Sequence, residues 1–399
     1  ASHYDFWTDK IRRSILLDSK ADLLVYGMGE KAVLEIAHRL NASQAYAKEV
    51  LWGIPGTAFA CSTKTDLNQH DCFPEPHELL RLPGHEAILA DAKALMTATL
   101  ALEQQVHQGV HWAVQEAGTQ QVFFTPPSPP LETPELDALY ALPFTRRPHP
   151  SYTKPVPAAD MIQFSITAHR GCAAGCTFCA IAQHQGRQIQ SRSAASIVTE
   201  ARAFVNHPDW KGSISDVGGP TANMWGARCA SAPSHCHRPD CLFPKPCPHF
   251  KINDAALVDL LHAVAKTDGV KHVRVASGIR YDLGPPRNVY LRALIREFVG
   301  GQLKVAPEHL CDKVLRLMRK PPRAAFEDFL RTFEEESRNA GKEQYVVPYL
   351  ISAFPGCTNE DMRELGRWLK QHNWRPRQVQ CFIPTPGTVA TAMFYAGID

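Results

Sequence analysis

Short apolar runs alternate along this chain with stretches whose apolar residues recur every three or four positions. The runs are typical of buried strands and the stretches are typical of helices. From residue 161 onward this strand–helix unit recurs six times. The predicted strands are 162–167, 213–217, 273–277, 303–306, 345–352 and 378–383. The predicted helices are 194–206, 255–265, 289–298, a helical stretch to about 339, and 359–372. Six such units predict a parallel sheet that curls into a partial (βα)6 TIM-like barrel, with ligands at the carboxyl ends of its strands.

Upstream of the barrel the pattern is less regular. Residues 23–26 are predicted to form a buried parallel strand, and the glycine turn 27–29 leads into a helix to about residue 40. Two interpretations are open: a dinucleotide-binding fingerprint, G-x-G-x-x-A, or the last βα unit of a Rossmann-like domain. We favour the second, because no full βαβ unit follows. One long helix is predicted over 86–117, and the proline-rich residues after it predict a connector.

These patterns divide an α/β chain into three parts. We expect residues 1–65 to be the C-terminal part of a Rossmann-like domain and residues 66–160 to be a helical, proline-rich connector. Residues 161–399 are expected to form the barrel, with a cysteine-rich insertion at 220–250. The chain starts without a methionine and stops soon after a strand-like segment, so we interpret it as an internal fragment of a longer protein.

Composition narrows the class of protein. The 399 residues carry 43 basic and 40 acidic side chains, and a net charge of +3 does not indicate nucleic-acid or anionic-membrane binding. No apolar run approaches the ~20 residues that span a bilayer, and the start has no signal-peptide pattern. Twelve cysteines in an enzyme-sized chain favour metal binding over disulfides, so we expect a cytoplasmic protein.

The strongest candidate for chemistry follows the first predicted barrel strand. Cys172, Cys176 and Cys179 have the spacing C-x3-C-x2-C, and Phe178 precedes the third cysteine. Three thiolates in one short loop can hold a four-iron cluster and leave one iron open. An open coordination position distinguishes a reactive metal site from a structural one. A zinc site and three unrelated cysteines are the alternatives.

A second cysteine group lies in the insertion after the second strand. Its members are Cys229, Cys236, Cys241 and Cys247, with His235, His237 and His249 between and after them. This proline-rich loop has little apolar material, so a metal would supply the missing organisation. Thiolates suit zinc or an iron–sulfur cluster, and we favour an auxiliary four-iron cluster because the paired CxxC of common zinc folds is missing. The other cysteines are interpreted as buried thiols: Cys61, Cys72, Cys311, Cys357 and Cys381.

The first cysteine motif resembles the signature of the radical S-adenosylmethionine (SAM) superfamily. By that resemblance, the open iron binds the amino and carboxylate groups of SAM, and one electron cleaves SAM to methionine and a 5′-deoxyadenosyl radical. A reductase such as flavodoxin or ferredoxin is then the implied partner. The resemblance places the SAM amino group at Gly218 and Gly219, although Pro220 stands where the superfamily usually has glutamate. Phe178, beside the third cysteine, is a further cofactor-binding candidate. Other cofactor or substrate candidates end the third and fourth strands: Ser277, Arg280 and Glu308.

Longer segments resemble one family within that superfamily, the YgiQ family of radical SAM proteins. The most similar are RGCAAGCTFCAIAQHQGRQIQSRS, SDVGGPTANMWG, CLFPKPCPH and LKVAPEHLCDKVLRLM. Residues 21–37 also resemble the closing βα unit of cobalamin-binding-like domains, but the usual cobalamin-ligating motif is not visible. We predict a radical SAM enzyme of unknown substrate, and we name no acid, base or radical-quenching residue. The alternatives are a zinc-organised binding protein without redox catalysis and an RNA- or tRNA-modifying radical SAM enzyme.

Overall fold

The computed structural model describes residues 1–43, 47–285, 287–376 and 379–398. Its barrel strands are Ser165–Thr167, Ser213–Ile214 with Asp216–Gly218, His272–Val273, Gln302–Glu308, Tyr345–Ser352 and Gln380–Cys381. Each pairs in parallel with the next along the chain, and an isolated bridge between Ile279 and Val305 joins the third strand to the fourth. The described residues make no pairing between the first and sixth strands, so the barrel is open there. The predicted partial (βα)6 barrel is therefore confirmed.

Several predicted strand limits need correction. The first strand starts three residues later than expected, because Ala159–Ile162 is a short helix. The third strand is only two residues long. The predicted start of the sixth strand, residue 378, lies outside the described residues, and the strand that is described is Gln380–Cys381.

Helices surround the barrel; those up to Asn359–Gln371 occur as the pattern predicted, and the helix Val389–Ala396 after the sixth strand was not predicted. The helices are Ala194–Val205, Asp254–Ala265, Val289–Ala293, Asp312–Leu317, Arg323–Asn339, Asn359–Gln371 and Val389–Ala396. The third continues as a π-helical turn, Leu294–Phe298. Side-chain oxygens cap five of these helix starts by accepting a backbone N–H, among them Ser193 and Thr358. Alternate strand residues such as Ile166, Val217 and Leu303 pack under these helices in one core, so the intervening residues face the lumen.

The N-terminal part contains a five-stranded sheet. In spatial order its strands are Leu23–Val25, Thr57–Ser62, Gln120–Phe124, Trp112–Ala117 and Leu79–Arg81. The strand at 23–25 and the helix Glu30–Ala42 occur as predicted, but the strand pairs antiparallel with Thr57–Ser62. The parallel pairing expected of a Rossmann-like unit is therefore wrong. Since residues 79–124 complete the same sheet, residue 65 does not separate two domains.

The long helix predicted over 86–117 is three elements. Helix His85–Ala90 is followed by helix Ala92–Gln108, and the strand Trp112–Ala117 comes next. Gly109 ends the second helix with φ +66°, a left-handed conformation that glycine adopts without strain. The helix ends there because the apolar residues after it pair with Gln120–Phe124 as a hairpin.

The remaining elements join the two regions. They are the hairpin His3–Asp5 with Lys10–Arg12 and the helices Ile15–Ser19, Thr133–Tyr140 and Ile181–Gln185. The hairpin packs on the last barrel helix, with the rings of Tyr4 and Tyr395 5.0 Å apart. Arg319 of the barrel also pairs with Glu103 of the helix Ala92–Gln108 at 2.6 Å. No helix within the described ranges is both long and apolar enough to cross a bilayer.

Candidate metal and cofactor site

The cysteine loop, residues 171–189, leaves the carboxyl end of the first barrel strand. A short antiparallel pair, His169–Arg170 with Gln190–Ser191, closes its base. Gly171 opens the loop with φ +88°, and a Cβ there would lie 2.2 Å from the carbonyl oxygen of Gln188. Thr177 ties the middle of the loop to the barrel by donating to the carbonyl oxygen of Leu317 at 2.8 Å. The loop is therefore held in a definite shape at both its base and its middle.

The three cysteines of this loop are turned toward the protein interior. Cys172 is buried, and Cys176 and Cys179 are half-buried at either end of a turn in which the Cys179 N–H donates to the Cys176 carbonyl at 3.0 Å. Burial raises the pKa of the Cys176 thiol to about 12 and also raises the pKa of Cys179. The free Cys176 and Cys179 thiols therefore stay protonated near neutral pH, and a bound metal would convert them to thiolates.

Gly218 and Gly219 end the second strand beside this loop. A Cβ on Gly218 would lie 2.6 Å from Ser277 Oγ, and one on Gly219 would lie 2.6 Å from His169 Cε1. Thr221, just after the turn, brings its hydroxyl to 3.4 Å from the Cys172 sulfur. The glycines are therefore required by close approach, and the turn and the cysteine loop are in contact.

A cavity of about 390 Å³ opens at this turn. Its lining includes Thr167, His169, Asp216, Gly218, Gly219 and Ser277. The Ser277 hydroxyl donates to Asp216, which also accepts the N–H groups of Ala276 at 2.7 Å and Ser277 at 3.0 Å. His169 is fully buried, and burial lowers its pKa to about 4, so its ring is neutral near pH 7. Ser277 therefore borders the cavity with its hydroxyl already engaged.

Arg280 contacts Cys176 of the cysteine loop directly. Its Nη1 lies 3.7 Å from the Cys176 sulfur, and two of its other nitrogens each contact an Asp282 oxygen at 2.7 Å. Asn223 holds its backbone on both sides, accepting its N–H at 2.9 Å and donating to its carbonyl at 2.8 Å. A guanidinium at this distance favours a thiolate at Cys176.

Two more buried charges lie at the same rim. Glu308 ends the fourth strand in a left-handed conformation (φ +68°). Burial raises the pKa of its carboxyl, and the positive charges of Lys320 and Arg280 partly offset that rise. Lys320 is also buried, and its positive charge lowers the pKa of both Cys176 and Cys179. Lys320 could not be predicted as a site residue, because Lys320 follows a helix rather than a strand and no motif contains it. Its one sequence signal is the Pro-Pro after it, which ends that helical stretch.

Phe178 turns away from the cavity. Its ring packs edge-on against Phe354 at 6.4 Å, beside the end of the fifth strand. Met318 and Val389 belong to the same apolar cluster. Phe178 therefore anchors the loop, and its role in cofactor binding stays a prediction.

The cysteine-rich insertion packs directly on the cysteine loop. Asp240, which is fully buried, accepts the Gly175 N–H at 2.7 Å, and the Cys241 N–H donates to the Ala173 carbonyl at 3.1 Å. Gly175 is so close that a Cβ would lie 2.1 Å from the Pro239 carbonyl oxygen. As a result Cys241 and Cys247 share one buried cluster with Cys172. The sequence indicated two separate cysteine groups, and the structure places them side by side.

Each cysteine of the insertion has a different environment. Cys241 and Cys247 are buried, Cys236 is half-buried and Cys229 is exposed. Burial raises the pKa of Cys241, Arg187 opposes the rise, and the nearby Asp240 and Cys236 add to it. Within the ranges that the structure describes, no group of three or more His, Cys, Asp or Glu side chains is arranged to hold a metal ion. Neither cysteine group is thus preshaped as a single-ion site.

Two cysteines that the sequence left as unrelated thiols meet at the rim. The Cys357 sulfur lies 3.7 Å from His309 Nε2, and the Cys311 thiol donates to Asp361 at 3.3 Å. The Cys311 N–H donates to His309 Nδ1 at 2.9 Å, so Nε2 of the neutral ring carries the proton that faces Cys357. They come together because they follow the neighbouring fourth and fifth strands, a position that the strand predictions imply.

Two protein-family models match this chain, and curated relatives match it over its whole length. The model "Radical SAM N-terminal" matches residues 1–165 and the model "Radical SAM superfamily" matches residues 166–369. A UPF0313 protein of Geobacter sulfurreducens is 45% identical over all of this chain and 65% of its own length. One from Methanosarcina mazei is 40% identical over all of this chain and 68% of its length.

A solved structure is also similar in outline. It is the radical S-adenosylmethionine methyltransferase TsrM from Kitasatospora setae, with tryptophan substrate and a SAM analog bound. It is 14% identical, with a TM-score of 0.49 over 96% of this chain and 55% of that one. The chain spans 56% to 68% of the length of eight curated relatives, and 65% of the length of that of Geobacter sulfurreducens. With whole-chain identities of 40–45% and a superfamily match over the barrel, this chain belongs to the UPF0313, or YgiQ, family of radical SAM proteins.

Proposed function

We propose that this chain carries the SAM-cleaving core of a radical SAM enzyme with a four-iron cluster and SAM as cofactors. The observation that carries the proposal is the contact between the loop of three interior cysteines, through Cys172 and Thr221, and the Gly218–Gly219 turn at the carboxyl end of a parallel barrel. Ligands of such barrels bind at that end. The superfamily match over residues 166–369 supports it. Residues 161–399 would be the catalytic part, and the N-terminal sheet would support it.

The residues of the cysteine loop fit the cluster by their chemistry. Cys172, Cys176 and Cys179 would each supply one thiolate, and four irons with three ligands leave one iron for SAM. When bound, this cluster and SAM supply a 5′-deoxyadenosyl radical after one-electron reduction, which abstracts hydrogen from the substrate. The hard chemistry belongs to the cofactor, and the protein positions and shields it.

The surrounding side chains would hold SAM and exclude water. In the close-packed turn the Gly218 carbonyl already accepts the Ala168 N–H at 2.7 Å, so the Gly219 carbonyl would receive the SAM amino group, and the cavity beside it would receive the rest of the molecule. Arg280 and Lys320 supply buried positive charge for the SAM carboxylate, while Glu308 balances part of that charge. Ser277 orients Asp216 at the cavity wall.

The unassigned parts of the reaction follow from this chemistry. A one-electron donor of the flavodoxin or ferredoxin class would reduce the cluster, and the reducing cytoplasm is the compartment that preserves free thiols. The substrate would enter the barrel lumen. An RNA- or tRNA-modifying enzyme and a zinc-organised binding protein are the alternatives.

SAM cleavage by anaerobically reconstituted protein tests the proposal. With dithionite as reductant, wild type is expected to form methionine and 5′-deoxyadenosine, and the C172A/C176A/C179A variant is expected to form neither. Cys381→Ala, which changes an exposed cysteine, is the control and is expected to match wild type. Zinc in place of iron in the wild type, with no cleavage, would support the binding-protein alternative and overturn the enzyme.

A further inference from the structure

Three cysteines of the insertion are linked by backbone contacts. Cys229 lies opposite Phe250 in the antiparallel pair at the base of the insertion. The Phe250 N–H donates to the Cys247 carbonyl at 3.0 Å, and the Cys247 N–H donates to the Cys241 carbonyl at 2.7 Å. This chain of contacts brings residues that are eighteen positions apart in sequence into one small region.

Cys236 lies near enough to Cys241 to raise its pKa, and it also contacts a neighbouring helix. Gln108 of the helix Ala92–Gln108 donates to its carbonyl at 3.3 Å, and the helix also contacts His237 through Gln104 at 3.1 Å. Cys236 follows a single 3-10 turn, Pro233–His235. That turn and the two-residue pair at the base are the regular structure described within residues 228–251. A loop this irregular has few backbone hydrogen bonds of its own, and a bound metal can organise such a segment.

A buried guanidinium beside these cysteines lacks a negative partner. Arg187 is 7% exposed, and its Nη2 lies 3.5 Å from the Cys241 sulfur and 3.1 Å from His107. Its Nη1 donates to the Arg238 carbonyl at 2.6 Å, and its Nε is buried without a hydrogen-bond partner. Among the described residues, no carboxylate pairs with it. A buried charge without a partner is costly, so Arg187 indicates that negative charge belongs next to Cys241.

Metal-bound thiolates would supply that charge, and a four-iron cluster fits ligands that do not converge on one point better than zinc does. Four sulfurs at about 2.3 Å from one zinc ion lie within about 4 Å of one another. The part of the chain that is described holds no such convergence of three or more ligands. In a four-iron cluster each thiolate binds a different iron, so the sulfurs stand farther apart. Four separated cysteines around one small region fit that arrangement.

We propose that Cys229, Cys236, Cys241 and Cys247 hold a second four-iron cluster, packed against the cysteine loop and facing the Arg187 guanidinium. The assignment goes beyond SAM cleavage and does not require it, because all four ligands belong to the insertion and none of Cys172, Cys176 and Cys179 is among them. Asp240 and the Cys241–Ala173 contact would then fix the distance between the two clusters.

Metal content of three variants tests this assignment. Iron, sulfide and zinc are measured per chain after anaerobic reconstitution, and the reduced proteins are examined by electron paramagnetic resonance. Wild type is expected to hold about eight irons and C172A/C176A/C179A about four, by the four-iron stoichiometry. Since that triple variant leaves the insertion unchanged, its remaining signal does not depend on the folding of an altered insertion. The variant C229A/C236A/C241A/C247A is expected to hold about four irons and to retain SAM cleavage.

The outcomes separate the two proposals. Wild type with about four irons, all lost in C172A/C176A/C179A, overturns the second cluster and leaves SAM cleavage standing. One zinc retained by that variant also overturns it. Iron retained in the triple variant without SAM cleavage by wild type supports the second cluster and refutes the enzyme. When Arg187→Gln is added to the C172A/C176A/C179A variant, the remaining iron is expected to be lost. When Arg338→Gln, which is remote on another helix, is added instead, that iron is expected to remain.

Discussion

The Asp240 carboxylate is the contact that holds the cysteine-rich insertion on the cysteine loop. It is fully buried and accepts three backbone N–H groups, from Gly175 at 2.7 Å, Leu242 at 2.6 Å and Phe243 at 3.0 Å. Hydrogen bonds to a charged group each contribute about 1.5–3 kcal/mol. Because the three bonds share one carboxylate, the lower end of that range applies, and Asp240→Ala is expected to lower the free energy of unfolding by about 4–5 kcal/mol.

The measurement is made on metal-free protein, so that cluster loss does not contribute. Urea unfolding gives the free-energy change, and hydrogen exchange at the Gly175 and Leu242 amides shows whether the loss is local. Asp240→Asn is expected to cost about 1.5–3 kcal/mol, since its NH2 group would face the Gly175 N–H.

A surface aspartate provides the matched control. Asp209 pairs with Arg147 at 3.3 Å with about half of its side chain exposed, so Asp209→Ala is expected to change stability by about 0.5 kcal/mol or less. The reasoning fails if Asp240→Ala unfolds within about 1 kcal/mol of wild type and the Gly175 amide keeps its protection. In that case the apolar contacts shared by Cys172, Cys241 and Cys247 would hold the insertion without the carboxylate.

Three further predictions concern the cavity and the buried charges. Gly219→Ala places a Cβ against the fully buried His169 ring and is expected to weaken SAM binding roughly tenfold, about 1.4 kcal/mol by calorimetry; Gly278→Ala, where a Cβ meets nothing within 4 Å, should bind normally. His169→Gln is expected to flatten the pH dependence of the free energy of unfolding. The pKa of His169 in the folded protein, about 4, lies below the usual 6.5, so the wild type loses up to about 3 kcal/mol of stability as pH falls from 6.5 to 4. An unchanged slope in the variant would contradict this. Arg280→Gln leaves the Asp282 carboxylate buried and unpaired and should cost about 3–5 kcal/mol in urea unfolding; Arg280→Gln with Asp282→Asn should recover part of the loss, and equal stability of the two variants would refute the pairing.

Local patterns were sufficient for the barrel and for the first metal motif. Strand–helix alternation depends on side-chain periodicity, which the chain carries within each element. The order of parallel strands then follows from short right-handed connections, so neighbouring strands in sequence became neighbours in space. The glycine turn at Gly218 and Gly219 could be placed beside the cysteine loop for the same reason. The carboxyl ends of adjacent parallel strands meet at one rim.

The N-terminal part shows which features local patterns do not predict. The strand Leu23–Val25 and its helix were recognised from periodicity, but the direction of its partner was not. A strand's own side chains show that one face is buried, not which strand it pairs with. In the same way, the apolar positions of Trp112–Ala117 predict a continued helix, whereas in the structure Gly109 ends the helix before them and they form a strand.

By itself the sequence determined the cysteine spacing, the alternation of elements and hence the barrel with its cysteine loop after the first strand. These depend on residues within about ten positions of one another, where geometry follows from local periodicity. Only the tertiary structure decided that Asp240 binds the cysteine loop, that Lys320 lies near Cys176 and that Arg187 faces Cys241 without a carboxylate. Each of these contacts joins residues about fifty or more positions apart, so it depends on how whole elements pack.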